Sequence, residues 1–310
     1  MLAILNVILP VFAIVALGYG AVRWRLYPAE GVKGLIGFVN NFATPCLLFQ
    51  AMLNADFSTA FNPAIIIPFY VGALTVFALG IVAARLIWKS RPGESVASAF
   101  SATFTNTVLV GIPIMQRAYG EGAMPVVFSI IGFHAPLLIT VGMVTMELMR
   151  RDGQSVQSAL RNAGIRAAQN PLLWGIVAGA TLNLLGIGLI EPAEAFVRMM
   201  AQAVLPAALF GLGGALNAYR IADNWQEAAI MSGLKLVVHP AIAYVLMVPI
   251  LNVEHDLARI GVLLAAMPTG INAYVFATYY NRSEDVATNT ILISTGASVL
   301  SLSLWLWLLN

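Results

Sequence analysis

The sequence predicts an all-α membrane protein of ten transmembrane helices, arranged as two inverted five-helix repeats. Composition gives the first reason: 60% of the 310 residues are apolar and only 10% are charged, with a mean hydropathy of +0.85. A soluble domain carries about a quarter charged residues, so these charges are too few to cover a globule. A lipid bilayer is therefore expected to surround much of the surface. The other two reasons are the spacing of the apolar segments and the distribution of the basic residues.

Ten apolar windows mark the predicted helices, because about 20 residues are needed to cross the hydrocarbon core of a bilayer. They fall at about 2–22, 34–53, 63–88, 96–116, 123–149, 170–189, 199–218, 228–251, 260–280 and 287–309. The first window has no basic segment before it and is long enough to span. It is expected to be a retained helix rather than a cleaved signal peptide.

Lysine and arginine predict the orientation of these helices. Twelve of the sixteen basic residues lie in or beside loops that follow odd-numbered spans, whereas three (Arg117, Arg198 and Arg259) lie on the opposite side and Lys235 lies inside a span. Loops rich in lysine and arginine stay in the cytoplasm. Both termini are therefore expected outside.

The longest loop divides the chain into five spans and five spans. Because five is odd, the second half must enter the membrane from the opposite side, which defines an inverted repeat. The predicted units are the first repeat at 1–150, a short basic cytoplasmic loop at 151–169 and the second repeat at 170–310.

Proline positions support this symmetry. Pro10 and Pro171 open the first and sixth spans, and Pro45 and Pro206 interrupt the second and seventh, with an offset of 161 residues in both cases. Nearly the same offset relates the two most unusual spans, the fourth span of each half.

Those two spans are interrupted near the middle by polar and helix-breaking residues. The candidate binding residues there are Thr105, Asn106, Thr107 and Pro113 in the first half, and Pro268, Thr269, Gly270 and Asn272 in the second. Non-helical backbone survives in a membrane only where it is buried in protein or lines a cavity, and paired interrupted spans indicate a transporter's binding site. The N-terminal ends of half-helices carry partial positive charge. Two crossing breaks therefore predict a pocket for a small organic anion such as a carboxylate.

Five further residues are candidates for this pocket or for its coupling chemistry. Asn41 and Gln50 in the second span could line the pocket or cap the break at Pro45. Lys235 could balance the charge of a carboxylate, or it could snorkel or form a structural ion pair. His239, one helical turn further on, and His134 could couple transport to protons, or each could be a hydrogen-bonded membrane histidine.

The sequence predicts no enzyme, no cofactor and no metal site. The three histidines lie far apart, and the single cysteine, Cys46, excludes an intramolecular disulfide. No phosphate-binding loop is present. The basic residues lie between apolar spans rather than in one patch, so no nucleic-acid partner is expected.

The segment NTVLVGIP at 106–113 resembles the fourth-helix crossover motif of the auxin efflux carrier family. Further similarities cover nearly the whole chain: YGAVRW at 19–24, PCLLF at 45–49, KLVVHPA at 235–241 and PTG at 268–270. The resemblance implies ten helices in two inverted repeats, with a scaffold subdomain, a transport subdomain that moves like an elevator, and a homodimer.

The short basic central loop resembles the bacterial branch of that family, with which malonate and malate transport are associated. The resemblance thus implies a secondary carrier, an efflux carrier of small organic anions, in a bacterial inner membrane. One alternative is a sodium-coupled organic-anion symporter resembling the bile-acid family, although neither break contains an aspartate or glutamate. Another is a membrane sensor that binds a ligand without transporting it.

Overall fold

The computed structural model describes residues 2–54, 62–150, 161, 165, 168–169, 171–218 and 223–309. In this part of the chain the structure is helical, which confirms the predicted all-α class, and the one isolated β-bridge pairs Thr105 with Thr269. Six helices are long and apolar enough to cross a membrane, judged by length and composition, and shorter apolar helices cover Leu9–Arg23 and Pro171–Leu184. Most of the predicted loop at 151–169 lies outside the described residues.

The helices are numbered in chain order. They are α1 (Leu2–Arg23), α2 (Ala29–Leu53), α3 (Pro63–Ile87), α4 (Pro92–Thr103), α5 (Ile112–Tyr119), α6 (Met124–Arg150), α7 (Pro171–Leu184), α8 (Glu191–Leu216), α9 (Trp225–Ile250), α10 (His255–Ala265), α11 (Asn272–Tyr280) and α12 (Glu284–Leu309). The predicted fourth window is thus divided between α4 and α5, and the ninth between α10 and α11.

Several helix ends differ from the predicted windows, and two of them have a clear physical reason. The helix α8 begins eight residues before the predicted start at 199, because its first turns carry Glu194 and Arg198 and are too polar for a hydropathy window. The helix α7 ends at Leu184 rather than at 189, because the chain turns at Gly186, whose φ of 67° favours glycine.

Prolines determine the irregular turns within the helices. Three wider, π-helical turns each end two residues before a proline: Val39–Ala43 before Pro45, Thr107–Gly111 before Pro113, and Leu234–Val238 before Pro240. A proline has no N–H and its ring clashes with the carbonyl four residues earlier, and a π turn accommodates that clash. At Pro240 the carbonyl is that of Leu236, which accepts a hydrogen bond from Trp305 Nε1 at 3.0 Å.

Two pairs of helices approach so closely that they require glycine. A Cβ at Gly18 in α1 would lie 2.1 Å from the carbonyl oxygen of Phe210 in α8, and a Cβ at Gly179 in α7 would lie 2.3 Å from that of Phe49 in α2. Both distances are far shorter than van der Waals contact, so a larger residue would force the helices apart. Gly18 and Gly179 are separated by 161 residues, and so are Phe49 and Phe210.

The remaining helices pack around the two interruptions. The helix α4 contacts α3, α6, α11 and α12, and α9 contacts α3, α10 and α12. Phe100 of α4 stacks on Phe276 of α11 with ring centroids 4.0 Å apart, and its ring lies 5.5 Å from that of Phe104. These rings join the two halves of the chain beside the breaks.

Candidate binding site at the two interrupted helices

The two interruptions cross and pair with each other. The N–H of Asn106 donates to the carbonyl of Pro268 at 2.8 Å, and the N–H of Gly270 donates to the carbonyl of Phe104 at 2.8 Å. A Cβ at Gly270 would lie 3.1 Å from the Phe104 ring and 3.2 Å from the Thr105 carbonyl, so this position favours glycine. The pairing gives buried backbone groups of both breaks their hydrogen-bond partners.

Asn106 starts the second half of the interrupted fourth span. Its Oδ1 accepts from the N–H of Leu109 at 3.1 Å, and its carbonyl accepts from the N–H of Gly111 at 2.9 Å. The side chain is therefore fixed as an N-cap. Its other end, Nδ2, is buried and has no hydrogen-bond partner among the described residues.

His134 of α6 is hydrogen-bonded to the same break. The N–H of Thr105 donates to His134 Nε2 at 3.1 Å. Since Nε2 accepts, a neutral ring must carry its proton on Nδ1. This Nδ1 has no partner in the described part of the chain, and neither has the hydroxyl of Thr105. His134 is 2% exposed and Thr105 is 1% exposed, so both are about as deeply buried as Asn106.

A cavity of about 300 Å³ lies beside the crossing, and all three residues line it. Buried polar groups are nearly always paired, and an unpaired donor costs about 1–3 kcal/mol. Three buried donors without a partner among the described residues thus belong to residues that line one cavity, which makes this cavity the candidate binding site. The apolar part of the wall includes Ile36 and Ile139.

The structure brings seven of the predicted candidate residues to this cavity. They are Asn41, Thr105, Asn106, Thr107, His134, Gly270 and Asn272. Three others stay close to the crossing without lining the cavity. Pro268 contributes its carbonyl to the pairing, and Pro113 is buried in the first turn of α5.

Thr269 is the third of these, and its polar groups are occupied within the protein. Its N–H donates to Ser294 Oγ at 3.1 Å, and its hydroxyl donates to the carbonyl of Ser101 at 2.8 Å. The structure thus gives Thr269 contacts that hold the break in place. Sequence reasoning did not select Ser101 or Ser294, although the hydroxyl residues spaced three or four apart on α4 and α12 were a usable signal.

Replacing Ser294 with alanine should lower the stability of the protein by about 1–3 kcal/mol, because the buried N–H of Thr269 would lose its acceptor. Thermal unfolding of the purified variant measures this. Ser303→Ala is the control, because among the described residues that hydroxyl bonds to the Val299 carbonyl of its own helix. Equal unfolding temperatures for the two variants would contradict the assigned role.

Gln50 lies apart from the crossing, in a larger cavity of about 950 Å³ between the C-terminal parts of α2 and α5 and the middle of α8. Two arginines, Arg117 and Arg198, also line it, and Arg198 lies 3.8 Å from Glu194. No residue lining this cavity carries an unpaired buried polar atom in the described part of the chain. This cavity is larger, but the buried donors without a partner belong to residues that line the cavity at the crossing.

Lys235 and His239 also lie away from the cavity. Lys235 Nζ donates to the carbonyl of Ala265, the last residue of α10, at 2.6 Å and lies 3.1 Å from His239 Nδ1. His239 Nε2 lies 3.0 Å from the carbonyl of Phe69 and must be its donor. Both side chains are fully buried.

Residues 3–306 match the sequence model of a family described as membrane transport protein. The chain is 26% identical over 312 residues to the "Putative malonate transporter" of Rhizobium meliloti, covering 100% of this chain and 97% of that protein. It is 21% identical over 334 residues to "Auxin efflux carrier component 5" of Arabidopsis thaliana, covering 93% of this chain and 92% of that protein. It is 28% identical over 325 residues to the mouse "Lysosomal cholesterol signaling protein", covering 96% of this chain but only 37% of that protein.

The family match confirms the resemblance derived from the crossover motif, and it agrees with helices long and apolar enough to cross a membrane. The chain is an integral membrane protein that belongs to the membrane transport protein family, the family of the auxin efflux carriers.

Proposed function

We propose that this protein is a secondary carrier that binds the carboxylate of a small organic anion where its two interrupted helices cross. One observation carries the proposal: Thr105 Oγ1, Asn106 Nδ2 and His134 Nδ1 are buried and unpaired among the described residues, and their residues line one cavity. A carboxylate offers two oxygens with about four acceptor sites. It could therefore pair with all three donors.

The electrostatics of the cavity also favour an anion. The N-terminal ends that follow both breaks line it, through Thr107 on one side and Asn272 on the other. Helix N-termini carry partial positive charge and attract carboxylates. The lining residues include no aspartate or glutamate, so no fixed negative charge on the wall opposes the ligand.

The substrate we propose is a short carboxylate of the malonate or malate class. The cavity volume of about 300 Å³ is at the small end of the usual range for ligand pockets. The name of the Rhizobium meliloti relative points to malonate. Export is the direction that the family resemblance suggests.

An alternating-access mechanism built on an inverted repeat is part of this proposal. Two close glycine contacts, Gly18 with Phe210 and Gly179 with Phe49, repeat at the same offset of 161 residues. In this proposal α1, α2, α7 and α8 form the scaffold of a homodimer, and the helices around the breaks move past it. Small apolar residues of α2 and α8, such as Ala43 and Ala208, pack against the first break and offer a smooth surface for that movement.

The proposed orientation, with both termini outside a bacterial inner membrane, follows from the basic loops. The cavity is lined by the first turn of α7 and the N-terminal part of α2, which lie next to the predicted cytoplasmic loops. The described conformation would thus open towards the cytoplasm. A reporter enzyme that works only in the periplasm should therefore be active when it is fused to the C-terminus.

Uptake into reconstituted vesicles tests the function. Malonate, malate and indole-acetate are supplied separately, with pH, sodium and voltage varied one at a time. Saturable flux of a short carboxylate without sodium supports the proposal, whereas sodium dependence favours the symporter alternative. Saturable binding without flux would favour a sensor. The absence of both binding and flux for every carboxylate would contradict the proposal.

A further inference from the structure

Each interrupted helix leaves a C-terminal end inside the protein. Such an end has carbonyl groups without intrahelical partners and carries partial negative charge. At the end of α4 the compensating donor is neutral, because the Thr269 hydroxyl donates to the Ser101 carbonyl. At the end of α10 it is an amine, because Lys235 Nζ donates to the Ala265 carbonyl at 2.6 Å. The C-terminal ends of α4 and α10 therefore differ in their donor, which is a hydroxyl at α4 and a lysine amine at α10.

The surroundings of Lys235 fix this side chain in place. It lies in the π turn Leu234–Val238, whose Leu236 carbonyl is held by Trp305. His239 accepts from the amine through Nδ1, and its own Nε2 binds the Phe69 carbonyl. The ion pairs of the described residues do not include Lys235.

A fully buried lysine without an anionic side chain beside it among the described residues is unusual, because burying an unpaired charge is costly. Here the opposing charge is the negative end of α10. In carriers built from broken helices, such carbonyl ends are the places where a coupling cation binds. The Lys235 nitrogen lies at such a place.

We propose that the ammonium group of Lys235 is a built-in cation that occupies the position of an exchangeable monovalent cation at the end of α10. The carrier then needs no sodium to neutralise this end. Removing the side chain opens a binding site for a small cation. An alkylammonium ion fits this site best, because the partners on the wall are the Ala265 carbonyl and a histidine nitrogen, both acceptors of N–H hydrogen bonds.

Thermal unfolding of the purified protein tests the site without any assay of transport. Lys235→Ala should unfold at a lower temperature than the parent protein, and ethylammonium chloride should raise that temperature saturably. Sodium should act more weakly, and choline, which is too large, should have no effect. The parent protein and Lys33→Ala, which removes an exposed lysine, should show no specific response. Lack of any specific response of Lys235→Ala to ethylammonium or sodium would overturn the proposal.

Lys235→Met provides a second variant that fills the space without the charge. It should be destabilised and should not be rescued by ethylammonium, because the thioether side chain occupies the site. A Lys235→Met protein as stable and active as the parent would show that no cation is needed there and would overturn the proposal. The comparison of Lys235→Met with the parent protein therefore tests whether a cation is needed at the end of α10, even if Lys235→Ala does not fold.

Flux measurements extend the test, and this part rests on the proposed carrier function. The parent protein should transport equally well in sodium and in choline, whereas Lys235→Ala should lose at least ten-fold in choline and regain activity with ethylammonium. Sodium-dependent flux in the parent would overturn the built-in cation but leave the carboxylate site intact. Absence of flux in the parent would instead contradict the carrier function, and the unfolding result would still stand.

Discussion

Asn106→Asp is expected to abolish carboxylate binding while the protein stays folded. The aspartate keeps an oxygen that can accept from the Leu109 N–H, but it replaces the unpaired Nδ2 donor with a negatively charged oxygen. The lost hydrogen bond to a charged group costs about 1.5–3 kcal/mol. Repulsion between two like charges adds roughly 4 kcal/mol at a separation of about 4 Å and an effective dielectric constant of about 20. Affinity should therefore fall by about 10,000-fold or more.

Asn106→Ala separates the two contributions. It removes the donor without adding charge, so binding should weaken by about 1.5–3 kcal/mol, and the lost N-cap should lower stability by about 1 kcal/mol. Asn281→Asp is the matched charge control, because this residue lies outside the cavity and aspartate tolerates its positive φ of 53°. Equilibrium binding and vesicle flux measure all three variants. Binding by Asn106→Asp at the parental level would place the substrate elsewhere.

Gly179→Val is expected to disrupt the packing of α7 on α2. Its Cβ would lie 2.3 Å from the carbonyl oxygen of Phe49, and backbone cannot move aside as a flexible side chain can. Overpacking costs about 1–3 kcal/mol when side chains can adjust, so a clash with backbone should cost at least that much. Thermal unfolding should therefore show a large loss of stability.

Gly18→Val should cause a loss of similar size, because it makes the equivalent contact with the Phe210 carbonyl in the other half. Gly296→Ala is the control: this helical glycine has no atom within 4 Å of an added Cβ, and alanine favours the helix by about 0.5–1 kcal/mol. Unchanged stability for Gly179→Val and Gly18→Val would contradict the close approach of these helices.

Hydropathy predicted the all-α class, and helix breakers predicted the two interruptions. The apolar windows located the helices, and Asn106 and Pro268 marked the interruptions, because polar residues in a membrane span need a structural reason. The windows missed the start of α8, since its first turns are amphipathic and carry Glu194 and Arg198. Amphipathic turns give no signal to a method that averages hydropathy.

The candidate site was predicted less completely, because spacing alone does not show where a side chain finds its partner. Lys235 was a possible counter-charge for the ligand, yet it reaches the end of α10 from a π turn that changes the helical register. Thr269 was expected to contact the ligand, yet its groups bond to α4 and α12. His134 was proposed for coupling, and in the structure it lines the cavity and has a buried Nδ1 without a partner among the described residues.

A crystal structure with the best-transported carboxylate bound is the most direct measurement of the central claim. The carboxylate should lie in the cavity at the crossing, with its oxygens within about 3.2 Å of Asn106 Nδ2 and His134 Nδ1. A carboxylate bound instead in the larger cavity beside Arg117 and Arg198, with Asn106 and His134 still unpaired, would contradict the account.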